Sequence, residues 1–231
     1  MNFETWEPVY GAILADLGFE RAADERARDR FAEILGDCEP YNLQRLAVGG
    51  RTVAIAGGAP CLSGELDAVE RADAVFAAGA AASRLREAGL AVDCVVTDLD
   101  SAPERAVAAA RDGTPVVVHA HGDNVPAVEA YGPRLAGGAL VPTTQAAPAG
   151  PVRNFGGFTD GDRAAFLADH LGADEFVFPG WDFEDLSVDE MKARKLVWAE
   201  RLLYWLERRR DEPFEVLDGR RDSVDADALP V

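Results

Sequence analysis

The sequence predicts an α/β fold: a largely parallel β-sheet with flanking helices, preceded by an N-terminal helical segment. Two observations carry this expectation. From residue 52 onward, short apolar runs recur along the chain, and most are followed by a stretch with apolar residues at helical spacing. Strands alternating with helices argue for a parallel sheet covered by helices. The runs also lack polar alternation, as strands buried on both faces do.

Taken in order, the first 36 residues read as two amphipathic helices, with Phe31, Ile34 and Leu35 on one stripe. Up to residue 50 this segment is expected to be a helical cap without a catalytic cluster. Strands are expected at residues 52–56, 74–77, 94–96, 115–119, 139–142, 152–155 and 175–178. The intervening helices are clearest over residues 81–88, 103–111, 162–171 and 189–209. The last of these runs into Arg208, Arg209 and Arg210, which suit the carbonyl end of a helix. Residues 142–151, rich in Ala, Pro and Gly, read as a loop. A final strand is expected near residues 214–217, within a polar tail. The organisation is therefore a cap (1–50), an α/β catalytic domain (51–210) and a C-terminal strand with an acidic tail (211–231).

Composition narrows the function classes. Of 231 residues 48% are hydrophobic, enough for one large core. No apolar run approaches the roughly 18 residues of a membrane span. The segment 1–19 carries Glu4, Glu7 and Asp16 and no basic residue, so no secretory signal is expected. The three cysteines, Cys38, Cys61 and Cys94, are odd in number and widely spaced; buried thiols in a reducing cytoplasm are expected. The net charge of −18 argues against a broad nucleic-acid interface. Lys192 and Lys195 are the only lysines among 23 basic residues, and acid is spread from Glu4 to Asp227. Acidic excess with lysine depletion is expected of a protein working in molar salt, where the Debye length is about 3 Å.

Ligands of parallel α/β sheets sit at the carboxyl ends of the strands, so the residues after each run are the candidates. After the first come Gly57, Gly58, Ala59 and Pro60, and after the third Thr97, Asp98, Leu99, Asp100 and Ser101. The fourth ends in His119-Ala120-His121-Gly122-Asp123-Asn124, and the fifth leads to Thr143, Thr144 and Gln145. The sixth gives Asn154-Phe155-Gly156-Gly157-Phe158-Thr159-Asp160-Gly161-Asp162, and the seventh Pro179-Gly180-Trp181-Asp182-Phe183. In an extended segment Asp98 and Asp100 face one side and Leu99 the core. Two carboxylates on one face suit Mg²⁺, which binds through one or two carboxylates plus substrate phosphates. Gly156 and Gly157 permit close backbone approach to phosphate, and the helix after Thr159 offers its N-terminus to anions. Phe155 and Phe158 are candidates to sandwich a flat heterocycle. His121, Asp123 and Asn124 offer polar groups to a phosphate, sugar or hydrated metal. Lys192 and Lys195, three apart, share a helix face and suit phosphate.

Rival chemistries fit less well. A phosphatase with a phosphorylated Asp of an Asp-x-Asp motif carries it after the first strand of its domain, not the third. A His-x-His zinc site needs further histidines, and only His170 remains. Without a Gly-Lys-Ser/Thr string the chain is no P-loop kinase.

These strings resemble the archaeal 6-hydroxymethyl-7,8-dihydropterin diphosphokinases, whose Rossmann-like fold is of the thiamin pyrophosphokinase catalytic-domain type. The resemblance runs from about Arg51 to Arg210. His-Ala-His-Gly-Asp-Asn and Asn-Phe-Gly-Gly-Phe-Thr-Asp-Gly-Asp are its most specific strings. Trp181 is bulkier than the family pattern at its position and bears on the shape of the pterin pocket. The resemblance implies transfer of diphosphate from ATP to the hydroxymethyl-dihydropterin with Mg²⁺, giving AMP and a pterin diphosphate for folate- or methanopterin-type cofactors. It implies Asp98 and Asp100 as metal ligands supported by Asp123, with Asp160 or Asp162 completing the metal or orienting the hydroxyl. Gly57, Gly58, His121, Asn124, Thr143, Gln145, Asn154, Phe155, Gly156, Gly157, Phe158, Asp182, Lys192 and Lys195 become the binding residues. Thiamin as the acceptor, or nucleotide binding without turnover, are the alternatives, and a homo-oligomer is compatible.

Overall fold

The computed structural model describes residues 1–229. Six strands form one sheet: Thr52–Ala56 (β1), Ala74–Ala78 (β2), Cys94–Thr97 (β3), Val116–Ala120 (β4), Leu140–Thr144 (β5) and Glu175–Val177 (β6). Every neighbouring pair is parallel, and the order is β5-β4-β3-β2-β1-β6. The chain steps outward from β1 to β5, then returns to place β6 on the other side of β1.

The helices are Phe3–Leu17 (α1), Arg21–Leu35 (α2), Leu66–Arg71 (α3), Ala81–Glu87 (α4), Pro103–Arg111 (α5), Val125–Leu135 (α6), Asp160–His170 (α7) and Glu190–Arg210 (α8). Strand side chains divide by parity between two apolar layers. Val53, Ile55, Phe76, Val96 and Val117 join a core made with α1, α7 and α8. Ala54, Ala56, Val75, Val95, Val116 and Val118 join the other, with α2 to α6. This is why the strands read as unbroken apolar runs: both faces are covered. The first layer is aromatic, with Trp6 stacked on Trp205 at 6.4 Å and Phe166 set edge-on to Trp6 at 6.3 Å.

The N-terminal helices are built into these layers. Trp6, Val9, Tyr10 and Ile13 of α1 are fully buried, and α2 packs Phe31 and Ile34 against Gly132 of α6. Burying a side chain of this size contributes about 2 kcal/mol.

Three expectations need correction. Residues 152–155 form no strand; Arg153 makes a single bridge to Thr143. Its N–H reaches the Pro142 carbonyl and its carbonyl accepts from Thr144, after which Asn154 turns the chain by accepting from the Gly156 N–H. The expected strand at 214–217 is a 3₁₀ turn, Glu215–Leu217, because Glu207 and Arg221 tie Phe214 to α8 instead of to a sheet edge. Of the cysteines Cys94 alone is buried, while Cys38 is half-buried and Cys61 exposed; all three are free thiols. Helices α3 and α6 are not legible from spacing: α3 has six residues, and α6 contains Pro126, Gly132 and Pro133. No helix among the described residues is long and apolar enough to cross a membrane.

The acidic excess has a stability consequence. With a net charge of −18, self-repulsion weakens as salt screens it. The melting temperature, followed by circular dichroism, is expected to rise steadily from millimolar to molar KCl. A melting temperature independent of salt would contradict this.

Candidate functional site

All six strands end at one cleft of about 520 Å³. Its wall is built from Gly57, Gly58 and Ala59 after β1, Gly79 after β2, Asp98, Asp100 and Ser101 after β3, and His121, Gly122 and Asp123 after β4. Gln145 after β5 and Trp181 and Asp182 after β6 continue it, and Phe158, Thr159, Asp160, Gly161 and Arg163 at the start of α7 complete this side. Lys192, Lys195 and Leu196 of α8 face it from above, and Phe19, Glu20, Ala23 and Asp24 complete it from the α1–α2 corner.

The glycine loops are dictated by close approach. A Cβ on Gly57 would stand 2.3 Å from the Gly180 carbonyl oxygen, so β1 and β6 can end side by side only without side chains. The Gly57 N–H donates to Pro179 at 2.8 Å, and Arg84 donates to the Gly58 carbonyl at 2.9 Å. Gly157, at φ 90°, would place a Cβ 2.6 Å from the Arg163 Cα; this is a conformation and a contact that only glycine tolerates.

The carboxylate pair is brought together by a turn, not by an extended strand. Leu99 has φ 68° and is buried. The Asp100 N–H donates to Asp98 Oδ1 at 3.1 Å, and the Leu99 N–H to Thr97 Oγ1 at 3.0 Å. The extended geometry expected from sequence is thus replaced by a side-chain-closed turn, while both carboxylates still reach the cleft. Burial opposes ionisation of Asp98, but the His121 imidazole 3.4 Å away and the Arg163 guanidinium outweigh it and hold its carboxyl well below the usual range. Burial and then the Asp98 charge push Asp100 upward. Burial, and after it the charge of Asp98, push Asp160 up to about 8, against the pull of Arg163 3.0 Å away. Three carboxylates therefore repel one another within one cleft.

The predicted site residues separate into two sets. Gly57, Gly58, Asp98, Asp100, His121, Asp123, Gln145, Phe158, Asp160, Asp182, Lys192 and Lys195 line the cleft. Asn124, Thr143, Asn154, Phe155, Gly156, Gly157 and Asp162 lie outside its lining and support it. Asn124 donates to the carbonyls of Asp98 and His119. Thr143 donates to Val118 and lies 3.1 Å from His119 Nδ1. Asn154 donates to Gln145 and Ala146. Asp162 is fully buried in a capping box at the start of α7. Phe155 packs on His170 at 4.8 Å, so no sandwich with Phe158 forms; Phe19 stands 6.5 Å from Phe158 instead.

Arg163, Asp24 and Phe19 also line the cleft, and sequence reasoning misses all three. Arg163 lies inside the most distinctive string, but one arginine among many carries no signal of its own. Asp24 and Phe19 fall in or beside helices whose apolar stripe explains them structurally.

Glycine-lined strand ends, two lysines and clustered carboxylates define an α/β protein with one polar cleft at the carboxyl edge of a parallel sheet. The family model described as "6-hydroxymethylpterin diphosphokinase MptE-like" matches residues 28–187. The chain is 37% identical over 232 residues to the 6-hydroxymethyl-7,8-dihydropterin pyrophosphokinase of Methanothermobacter thermautotrophicus, covering 93% of this chain and 99% of that one. It is 36% identical to the pyrophosphokinase of the same name from Pyrococcus furiosus, over 89% of this chain and 94% of that one. A third, from Methanocaldococcus jannaschii, is 32% identical over 89% and 96% of the two chains. The chain belongs to the MptE-like 6-hydroxymethylpterin diphosphokinase family.

Proposed function

We propose that the chain transfers diphosphate from ATP to the hydroxymethyl group of 6-hydroxymethyl-7,8-dihydropterin, releasing AMP. The observation that carries this is the near-full-length identity to three proteins that bear that activity in their names. The cleft is chemically consistent with it. The pterin hydroxyl oxygen gives up its proton to solvent and bonds to the β-phosphorus of ATP, the bond from that phosphorus to the oxygen bridging to the α-phosphorus breaks, and AMP leaves. Such a reaction needs charge neutralised along the triphosphate and two substrates held in line.

Asp98 and Asp100 fit a magnesium ion of the kind that uses few protein ligands. No group of three or more His, Cys, Asp or Glu side chains among the described residues forms a closed metal cage, and Mg²⁺ bound with substrate phosphates requires none. The mutual repulsion of the cleft carboxylates is what a divalent cation relieves. When bound, the ion would neutralise charge on the triphosphate. The α7 N-terminus and the Gly58 backbone offer N–H groups to phosphate, and Lys192 and Lys195 supply point charges. Asp160, held by Arg163, orients the acceptor hydroxyl. The aromatic end at Phe19 and Phe158, with the Lys195 ammonium 5.9 and 6.0 Å from their ring centres, takes the flat pterin ring.

The nucleotide product tests this directly. With ATP, Mg²⁺ and the reduced hydroxymethylpterin, chromatography is expected to show AMP in equal amount to pterin diphosphate, with negligible ADP. ADP as the main product would sink the diphosphoryl step, and AMP formation with thiamin but not the pterin would replace the acceptor.

A further inference from the structure

We propose that Asp24 is a positioning residue for this cleft, setting the polarity of a hydrogen-bond chain that ends on Asp160. Its role rests on the diphosphokinase reading above and extends it to a residue on the N-terminal helices. Asp24 stands in the first turn of α2, where an aspartate is ordinarily solvated. Here the residue is only 4% exposed, and both oxygens are committed to other elements. Oδ1 accepts from the Gly122 N–H at 2.8 Å. Oδ2 accepts from the Tyr10 hydroxyl and from Gln145 Nε2, each at 2.7 Å.

Each contact leads into the cleft. Gly122 follows His121, whose Nε2 faces Asp98 Oδ2 at 3.4 Å. A Cβ on Gly122 would meet the Ala23 Cβ at 2.6 Å, so α2 and this loop lie against each other. Gln145 turns its Oε1 to Arg163 Nη2 at 3.3 Å, and Arg163 Nη1 donates to Asp160 at 3.0 Å. The two ends of an amide have nearly the same shape, so its neighbours decide which end points where. A carboxylate accepts only and a guanidinium donates only. Asp24 and Arg163, on opposite ends of Gln145, therefore admit one orientation of that amide, and with it one placement of Arg163 beside Asp160.

The test exploits this polarity. Asp24→Asn keeps shape but has only one acceptor end, so its NH₂ is set against either Gln145 Nε2 or the Gly122 N–H; if Gln145 flips to relieve this, its NH₂ then faces Arg163. Gln145→Glu sets two carboxylates together. The double variant D24N/Q145E restores a donor facing an acceptor at Asp24 and an acceptor facing Arg163. Rates of AMP formation are measured per folded molecule in high salt, with KM for both substrates. Each single variant is expected to lose about ten- to a hundredfold in kcat, as misplacement of reacting groups by about 1 Å does. KM should change little, and D24N/Q145E should recover most of the loss. Wild-type kcat in Asp24→Asn, or a double variant no faster than Gln145→Glu, would overturn the role of Asp24. The second comparison stands even if Asp24→Asn alone does not fold. A wild-type protein that makes no AMP would instead sink the reaction assigned above.

Discussion

Replacing Asp98 by Asn, or Asp100 by Asn, is expected to lower AMP formation about a thousandfold, the equivalent of roughly 4 kcal/mol of transition-state stabilisation. The two side chains are isosteric with the originals. The turn that carries them also depends on Thr97 and on the Asn124 bond to the Asp98 carbonyl, so the fold should survive. The loss should therefore appear in turnover, with an unchanged far-ultraviolet circular dichroism spectrum in high salt. Asp123→Asn is the internal comparison: its side chain is exposed at the rim, and its effect should be far smaller. Rates near wild type from both Asp98→Asn and Asp100→Asn would remove the pair from the chemistry.

The largest stability effect should come from Asp162→Ala. The carboxylate of this fully buried residue accepts from the Thr159 N–H at 3.0 Å, from Thr159 Oγ1 at 2.6 Å and from the Phe158 N–H. Truncation leaves two backbone donors at the start of α7, those of Phe158 and Thr159, without their acceptor. Unsatisfied buried donors cost about 1–3 kcal/mol each, which for a chain of this size lowers the melting temperature by about 10 °C. Asp162→Asn retains one acceptor oxygen and should lose roughly half as much. A shift of less than about 2 °C for Asp162→Ala would show that the cap carries little of the stability.

The strand ends are legible because buried parallel strands leave little choice: an apolar run must stop where it meets water, and the residues just beyond its end face the ligand edge. That logic alone brings Asp98, Asp100, His121 and Asp182 to one cleft. It fails where local geometry is set by distant partners. Asp98 to Asp100 read as extended because the left-handed Leu99 has no sequence signature. Phe155 and Asp162 sit in the most distinctive string, yet they hold the cleft from behind; a string reveals that residues matter together, not which way each side chain points. Asp24 is invisible in sequence because an acid in the first turn of a helix already has an ordinary explanation.

The N-terminal helices also constrain how the protein can be made. Trp6 bonds to the Gln145 carbonyl 139 residues later, and Asp24 to the Gln145 side chain 121 residues later. Trp6 also stacks on Trp205, near the end of the chain. During synthesis α1 and α2 leave the ribosome well before Gln145 and Trp205, the partners that cover and fix them. Such long-range closure slows folding and leaves surfaces open meanwhile. The edge strand β6, emerging late, seats Gly180 against Gly57 and completes the rim. A nascent chain that stops short of β6 and α8 thus has neither a finished core nor a finished cleft.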